Sequence, residues 1–407
     1  MSEKKNVPRL RFPGFTEPWE QRKLGDVFEE YSEKKHEELP PLTIIQGKGT
    51  IPRNESDRNI LYDKSGLKNY KLVNKGDFIL HLRSFEGGLE VANSQGIVSP
   101  AYHIFHGENT DTNFYYPFFR SKFFINILLK PHVYGIRDGK SIDVDGMKEI
   151  FIPYPKYEEQ KILGSYFEEL ERLITLHQRK LEHTKNLKKS MLQKMFPKKG
   201  QLYPEVRFPE FTDAWEQRKL ESICDVFTDG DWIEAKDQSE SGVRLIQTGN
   251  VGITQYLDKE KNKKWISEDT FERLKCKEIF EDDILISRLP KPAGRACIMP
   301  DLGTKMITAV DCTIARTSKE YDSKYLVQYL STPAYFKVVD SFLGGGTRQR
   351  ISRGNLAEIN ISLPVSLDEQ IKIGKYFAQL DNLITLHQRE LEHLKLLKKG
   401  MLQQMFI

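Results

Sequence analysis

The sequence predicts two α/β domains of similar fold plus two long helices that pair as an antiparallel coiled coil, the whole forming a pseudo-twofold internal repeat. Three observations carry this. A helical stretch, LITLHQRKLEHTKNLKKSMLQKMF from Leu173, returns as LITLHQRELEHLKLLKKGMLQQMF from Leu383 with 19 of 24 positions identical. A shorter frame, RFPGFTEPWEQRKL at 11–24, returns as RFPEFTDAWEQRKL at 207–220 with 11 of 14 identical. Between these anchors lie two middles that share an order of signals and little identity. The expected division is a segment 1–24, a first module 25–155, a central helix 156–200, a linking segment 201–220, a second module 221–364 and a distal helix 365–407.

Length and composition set the bounds. A chain of 407 residues, 39% hydrophobic, can bury a sizeable core and is long enough for two or three domains. Lys and Arg number 62 against 58 Asp and Glu, a net +4, so any nucleic-acid role must rest on where charge is placed rather than on its total. The four cysteines (Cys224, Cys276, Cys297, Cys312) form no CxxC pair and have no ligand-like spacing to histidine, which fits a reduced, cytoplasmic chain without structural zinc. The opening MSEKKNVPRLRF has no apolar core of a signal peptide, and no run of about eighteen apolar residues occurs.

In each module a buried-strand run, GDFILHLRS at 76–84 or DDILISRLP at 282–290, is followed by an aromatic-rich helix, YYPFFRSKFFINILL at 115–129 or YLVQYLSTPAYFKVV at 325–339. A Gly-rich polar loop comes next, YGIRDGKS at 134–141 or LGGGTRQRISR at 343–353. A strand ending in proline, EIFIPYP or EINISLP, then leads into the long helix.

The long helices carry a heptad stripe. Leu163, Phe167, Leu170, Ile174, His177 and Leu181 continue through Met195 in the first, and Ile373, Phe377, Leu380, Ile384, His387 and Leu391 continue through Met405 in the second. Such a seam over more than four heptads is the mark of a coiled coil. Between Tyr157 and Lys199, five of six acids precede Arg172 and eight of ten bases follow it. Two such helices are complementary only when antiparallel, within one chain or between two copies. His177 and His387 sit where Leu would be stronger and are read as register-fixing residues rather than metal ligands.

Catalytic patterns are near misses. GIRDGKS has one residue too few between its glycines for a phosphate-binding loop, and GGGTRQR lacks the order of a dinucleotide site. Asp301 and Lys305 have no third acidic partner. NPPY, DPPY, HExxH and GxSxG are absent. No catalytic residue and no metal site is assigned.

The loops suit nucleic acid instead. Arg348, Gln349 and Arg350 follow a glycine tract that permits close backbone approach, and Arg137 and Lys140 occupy the matching loop of the first module. Arg83 and Arg288 lie just past the buried strands, with Lys291 and Arg295 adding charge there; Lys48, Arg53, Thr248 and Asn250 sit on small-residue turns. Arginine can pair with guanine and Gln with adenine, each good pair worth roughly 1–3 kcal/mol of discrimination. For one such residue a solvated charge is the simpler reading; the set at matched places points to DNA.

The paired RFPxFTxxWEQRKL segments, the paired LITLHQR helices and the EEQ or DEQ opening of each helix (Glu158 to Gln160, Asp368 to Gln370) resemble the specificity subunit of type I restriction-modification enzymes over essentially the whole chain. The resemblance implies two target-recognition domains, each reading half of a split site in double-stranded DNA. It implies that the paired helices space these domains and dock two methyltransferase (modification) subunits, with the frame at Arg11 to Leu24 packing near the end of the distal helix. Two restriction (motor-nuclease) subunits would join them. S-adenosylmethionine, ATP and Mg would belong to those partners and no cofactor to this chain. Two rival readings are a nuclease or methyltransferase with an unrecognised site and a protein-binding coiled-coil scaffold; turnover assays and salt dependence of DNA affinity separate them.

Overall fold

The computed structural model describes residues 7–56, 64–135, 140–290, 292–344 and 349–406. Contacts divide the chain into two compact units, Met1–Gln178 with Arg389–Ile407, and Arg179–Gln388. The two long helices run Tyr157–Lys194 and Leu367–Met405, so each lends one part to each unit.

In the first unit a four-stranded antiparallel sheet has the order Glu29–Tyr31, His103–His106, Phe78–Leu80, Glu90–Val91. Beside it are a hairpin, Leu42–Ile45 with Gly49–Pro52, and a separate antiparallel pair, Lys71–Val73 with Gly96–Val98. In the second unit the matching sheet has the order Cys224–Asp229, Cys312–Thr317, Ile284–Ser287, Ala296–Ile298. A further sheet, Gln238–Ser239, Lys264–Ile266, Val243–Ile246 and Met306–Thr308, contains one parallel pair. Both expected buried-strand runs are strands, with every residue of Phe78–Leu80 and Ile284–Ser287 buried.

The expected aromatic helices are each broken in two. In the first module an α-helix, Thr112–Phe119, stops at Arg120 and a π-helical stretch, Phe124–Leu129, follows, with the Ser121 hydroxyl accepting from the Phe124 N–H. In the second, Ser323–Tyr329 ends and Pro333–Ser341 begins, because Thr332 caps the new helix and Pro333 suits its first position. Local capping outweighs the continuous apolar pattern.

The repeated frame explains itself in contacts. Glu20–Lys23 pairs antiparallel with Phe151–Tyr154, and the second copy, Glu216–Lys219, pairs with Asn360–Leu363. Glu159, buried in the first turn of the central helix, accepts both arms of Arg11 (2.6 and 2.7 Å) and the Trp19 indole N–H (3.1 Å). Glu369 accepts Arg207 (2.7 and 2.8 Å) and Trp215 (3.3 Å) in the same way. The neighbouring Gln160 accepts from the Asp111 N–H and donates to the Pro155 carbonyl; Gln370 does so with Asp322 and Pro364. Asp111 and Asp322 are themselves the N-caps of the module helices. A side chain at Gly164 or Gly374 would place its Cβ 2.0 or 2.6 Å from those capping carboxylates, which is why glycine interrupts both long helices.

The helices pair head to tail within each unit. In the first, Phe167 stacks on Phe406 and Glu171 meets Lys398. In the second, Phe377 stacks on Phe196 and Asp381 meets Lys188 at 2.5 Å. Leu163, Phe167, Leu170 and Ile174 are buried in the first unit, and Ile373, Phe377, Leu380 and Ile384 in the second. His177, Leu181, His387 and Leu391 are half-buried. The frame does meet the distal helix: the Arg9 N–H donates to the Gln404 carbonyl, and Phe406 packs beside Trp19.

Candidate nucleic-acid interface

In the first module Lys48 is exposed on the turn between Leu42–Ile45 and Gly49–Pro52. The turn is held from beneath by Glu90, fully buried, which accepts from the Gly47 N–H (2.7 Å), the Gly49 N–H (3.1 Å), the Tyr116 hydroxyl (2.8 Å) and Arg120. Asn93 donates to the Lys48 and Thr50 carbonyls. Gln46 lies so close to Gly87 that a Cβ there would sit 1.9 Å from its amide nitrogen, so this turn abuts the Ser84–Gly87 turn. That second turn begins at Arg83, exposed and 2.7 Å from Glu86, and His81 anchors it by accepting from the Arg83 N–H. Burial pushes the His81 imidazole down to about 4, which keeps it neutral as that acceptor. Lys140, exposed, sits 5.5 Å from the Phe85 ring on the same turn. The Lys48 turn and Lys140 thus both meet the turn that Arg83 opens. Arg53, half-buried, lies beyond the hairpin with its guanidinium 5.3 Å over Tyr70. Arg137 is outside the described residues.

In the second module Gln349 and Arg350 are exposed, and Arg350 pairs back to back with Gly344 in the main chain and reaches Asp311 at 3.6 Å. Arg348 and Lys291 are outside the described residues. Two expectations need correction. Arg288 is buried, donating to the Val310 carbonyl at 2.7 Å and facing Asp229 (3.3 Å) and Asp311 (3.9 Å). Asn250 is buried too: it accepts from the Gln247 N–H and donates to the Leu257 carbonyl, closing its own loop. Each is taken up by main-chain groups that would otherwise be unpaired, which sequence spacing does not reveal. Thr248 is half-buried at the same loop.

The fastener of this face is Arg295, which the sequence suggests only as added charge beside Arg288 and which the fold turns inward. Arg295 donates to the carbonyls of Val251 (2.7 Å), Thr248 (2.8 Å), Leu289 (2.7 Å) and Pro292 (2.9 Å), so one guanidinium ties two loops. The Arg350 loop joins them through the Ile351 N–H, which donates to the Arg288 carbonyl. Glu90 and Arg295 are therefore positioning residues for the faces that carry Lys48 and Arg350. Burial raises the thiols of Cys224 and Cys297 to about 12 and of Cys276 and Cys312 to about 11, so all four stay protonated packing groups at neutral pH.

Two similar modules, each bearing polar loops on a frame of repeated contacts, define a tandem-domain recognition protein. Comparison with known proteins gives the family. The model for "Type I restriction modification DNA specificity domain" matches twice, at residues 16–186 and 212–396, and the chain belongs to that family. It is 24% identical over 410 residues to the type I restriction enzyme MjaVIII specificity subunit of Methanocaldococcus jannaschii, covering 97% of this chain and 93% of that one. It is also 24% identical to the putative MjaX specificity subunit of that organism, covering 97% and 94%. The fold is shared with the crystal structure of a type I restriction-modification S subunit from M. genitalium: TM-score 0.63 at 14% identity, covering 98% of this chain and 99% of that one. Among the described residues no helix is long and apolar enough to cross a membrane.

Proposed function

We propose that this chain is the DNA-reading, non-catalytic subunit of a cytoplasmic type I restriction-modification complex, with modules 25–155 and 221–364 each reading one half of a bipartite target in double-stranded DNA. The observation that carries this is the contrast within each unit between repeated frame contacts and unlike exposed loops. Glu159 and Glu369 fix their frames identically, whereas the exposed loops carry Lys48, Arg83 and Lys140 in one module and Gln349 and Arg350 in the other. Lysine and arginine at such turns meet phosphates and set register, and the planar ends of Gln349 and Arg350 can bond base edges. Arg53, Arg137, Thr248, Lys291 and Arg348 complete the proposed contact set, while Arg288, Asn250, Glu90 and Arg295 hold it in shape.

The paired helices would set half-site spacing and dock two modification subunits, which would bring S-adenosylmethionine; two restriction subunits would bring ATP, Mg and cleavage. Methylome sequencing of cells with and without the chain tests the assignment. The expected result is a split motif, methylated on both sides of an unread gap, that vanishes with the gene. An unchanged methylome in cells that make the partner subunits rejects it.

A further inference from the structure

One tryptophan of the second module stands apart from the others in its exposure. Trp232 is 71% exposed, whereas Trp19 and Trp215 are 6% and 2% exposed and Trp265 is half-buried beside Arg244. The Trp232 indole N–H is engaged by the Glu234 carboxylate, which orients the ring while leaving its broad apolar surface open to solvent. Its loop is also stiff. Gly230 donates to the Cys312 carbonyl and is packed so closely that a Cβ would lie 2.3 Å from the Thr308 carbonyl oxygen. The Asp231 N–H donates to Thr308 at 2.8 Å, and the Asp231 carboxylate accepts from the Lys277 N–H at 2.8 Å. Glu234 and Asp237 close the far side as a reciprocal cap. The ring is thus presented on a fixed support, at little entropic cost to a partner.

Position decides what that partner is. The loop follows strand Cys224–Asp229, and Asp231 bridges to Ala309. Two residues on, Asp311 meets both Arg288 and Arg350, and the Asp229 carboxylate meets Arg288 and Thr313. The Trp232 loop and Arg350 are thus tethered to one short segment, Ala309 to Asp311, and the carboxylates of Asp229, Asp231 and Asp311 there are already engaged. A flat apolar ring near guanidinium and amide donors matches a base step that bends open: the donors find base edges or phosphates and the ring wedges against the face of a partly unstacked base.

We propose that Trp232 is a specificity-determining stacking residue, set against the bases of the half-site that the second module reads. The proposal rests on the DNA-reading assignment above. The test uses the full chain assembled with its modification subunits, and three duplexes: the methylated motif's unmodified sequence, the same with the second half-site scrambled, and the same with the first half-site scrambled. Trp232→Ala should weaken binding to the intact site about tenfold, the scale of one lost base–aromatic stack, and leave binding to the second-half scramble unchanged. Trp232→Phe should retain most of the affinity, and thermal unfolding should not move for either variant. Acrylamide should quench the wild-type protein's exposed indole freely, and DNA with an intact second half-site should protect it. Wild-type affinity for the intact site in Trp232→Ala, or protection of the indole by the modification subunits without DNA, would overturn the assignment of Trp232 to DNA. A wild-type complex that does not prefer the intact site to either scramble would overturn the DNA-reading assignment itself.

Discussion

In the first module the buried Asp77 accepts from the Tyr31 hydroxyl (2.5 Å), the Asn74 N–H (2.7 Å) and His106 (2.7 Å). In the second, the buried Asp283 accepts from the Phe280 N–H (2.8 Å) and both arms of Arg316 (2.7 and 2.8 Å). The register pairs Phe78 with Phe105 and Ile284 with Ala315, so these aspartates occupy one position of one fold, and so do their partners. The shape requires a carboxylate that caps its turn; it leaves the answering side chain open. The frame residues enjoy no such freedom, since Arg11, Trp19 and Glu159 are repeated as Arg207, Trp215 and Glu369. Repetition marks contacts that hold the modules, and divergence marks what the modules are free to vary.

Four measurements test this contrast between the modules and their frame. Glu159→Ala and Glu369→Ala each strand a partly buried guanidinium and should cost about 3–5 kcal/mol, equally in the two halves; thermal unfolding that moves for one and not the other would refute their equivalence. Arg316→Ala leaves Asp283 buried with one main-chain donor and should cost roughly 2–3 kcal/mol, against about 1 kcal/mol for His106→Ala, where Tyr31 and Asn74 still hold Asp77. Denaturant titrations of both variants rank them.

Gly164→Ala and Gly374→Ala pit two effects against each other. Alanine in a helix is favoured over glycine by about 1 kcal/mol, but here its Cβ would drive the capping aspartate from its helix. A net loss of about 1–2 kcal/mol is expected, and a gain in stability would show that the caps are dispensable. The smallest effect separates the modules by acid. His81 holds its proton less well folded than unfolded, so between about pH 6.5 and 4 the unfolded chain binds more protons, and stability falls as pH falls across that window. Its partial exposure reduces the loss to on the order of 1–2 kcal/mol. The second module has no histidine, so amide exchange should loosen around Ser84–Gly87 at pH 5 before it does around Ile284–Ser287. His81→Asn should flatten that difference.

Local pattern made the long helices, their seam, the buried strands and the order of both modules legible. Periodicity and near-identity are properties of neighbouring residues, so a sequence displays them directly. The partner of Arg11 lies 148 residues away and that of Arg207 lies 162 away, and nothing in the intervening chain announces either pairing. The same limit governs the loops. Lys48, Arg83, Lys140 and Arg350 are exposed as their setting on small-residue turns suggests, whereas Arg288 and Asn250 look alike in sequence but are drawn inward by carbonyls and amides from elsewhere. A polar side chain's loyalty to solvent or to the main chain is settled by tertiary neighbours. The frame strands escaped notice because EQRK has no strand-like alternation; they are strands by virtue of the closing strands beside them.

The glutamine one step past each clamping glutamate bonds only main-chain atoms, an N–H at a module's helix cap and a proline carbonyl at its exit. A joint written largely in backbone asks little of the side chains it carries, the capping aspartate fitted against Gly164 or Gly374 being the demand common to both seats. An interior that supplies that cap and ends its last strand at the proline meets the shared terms of either seat.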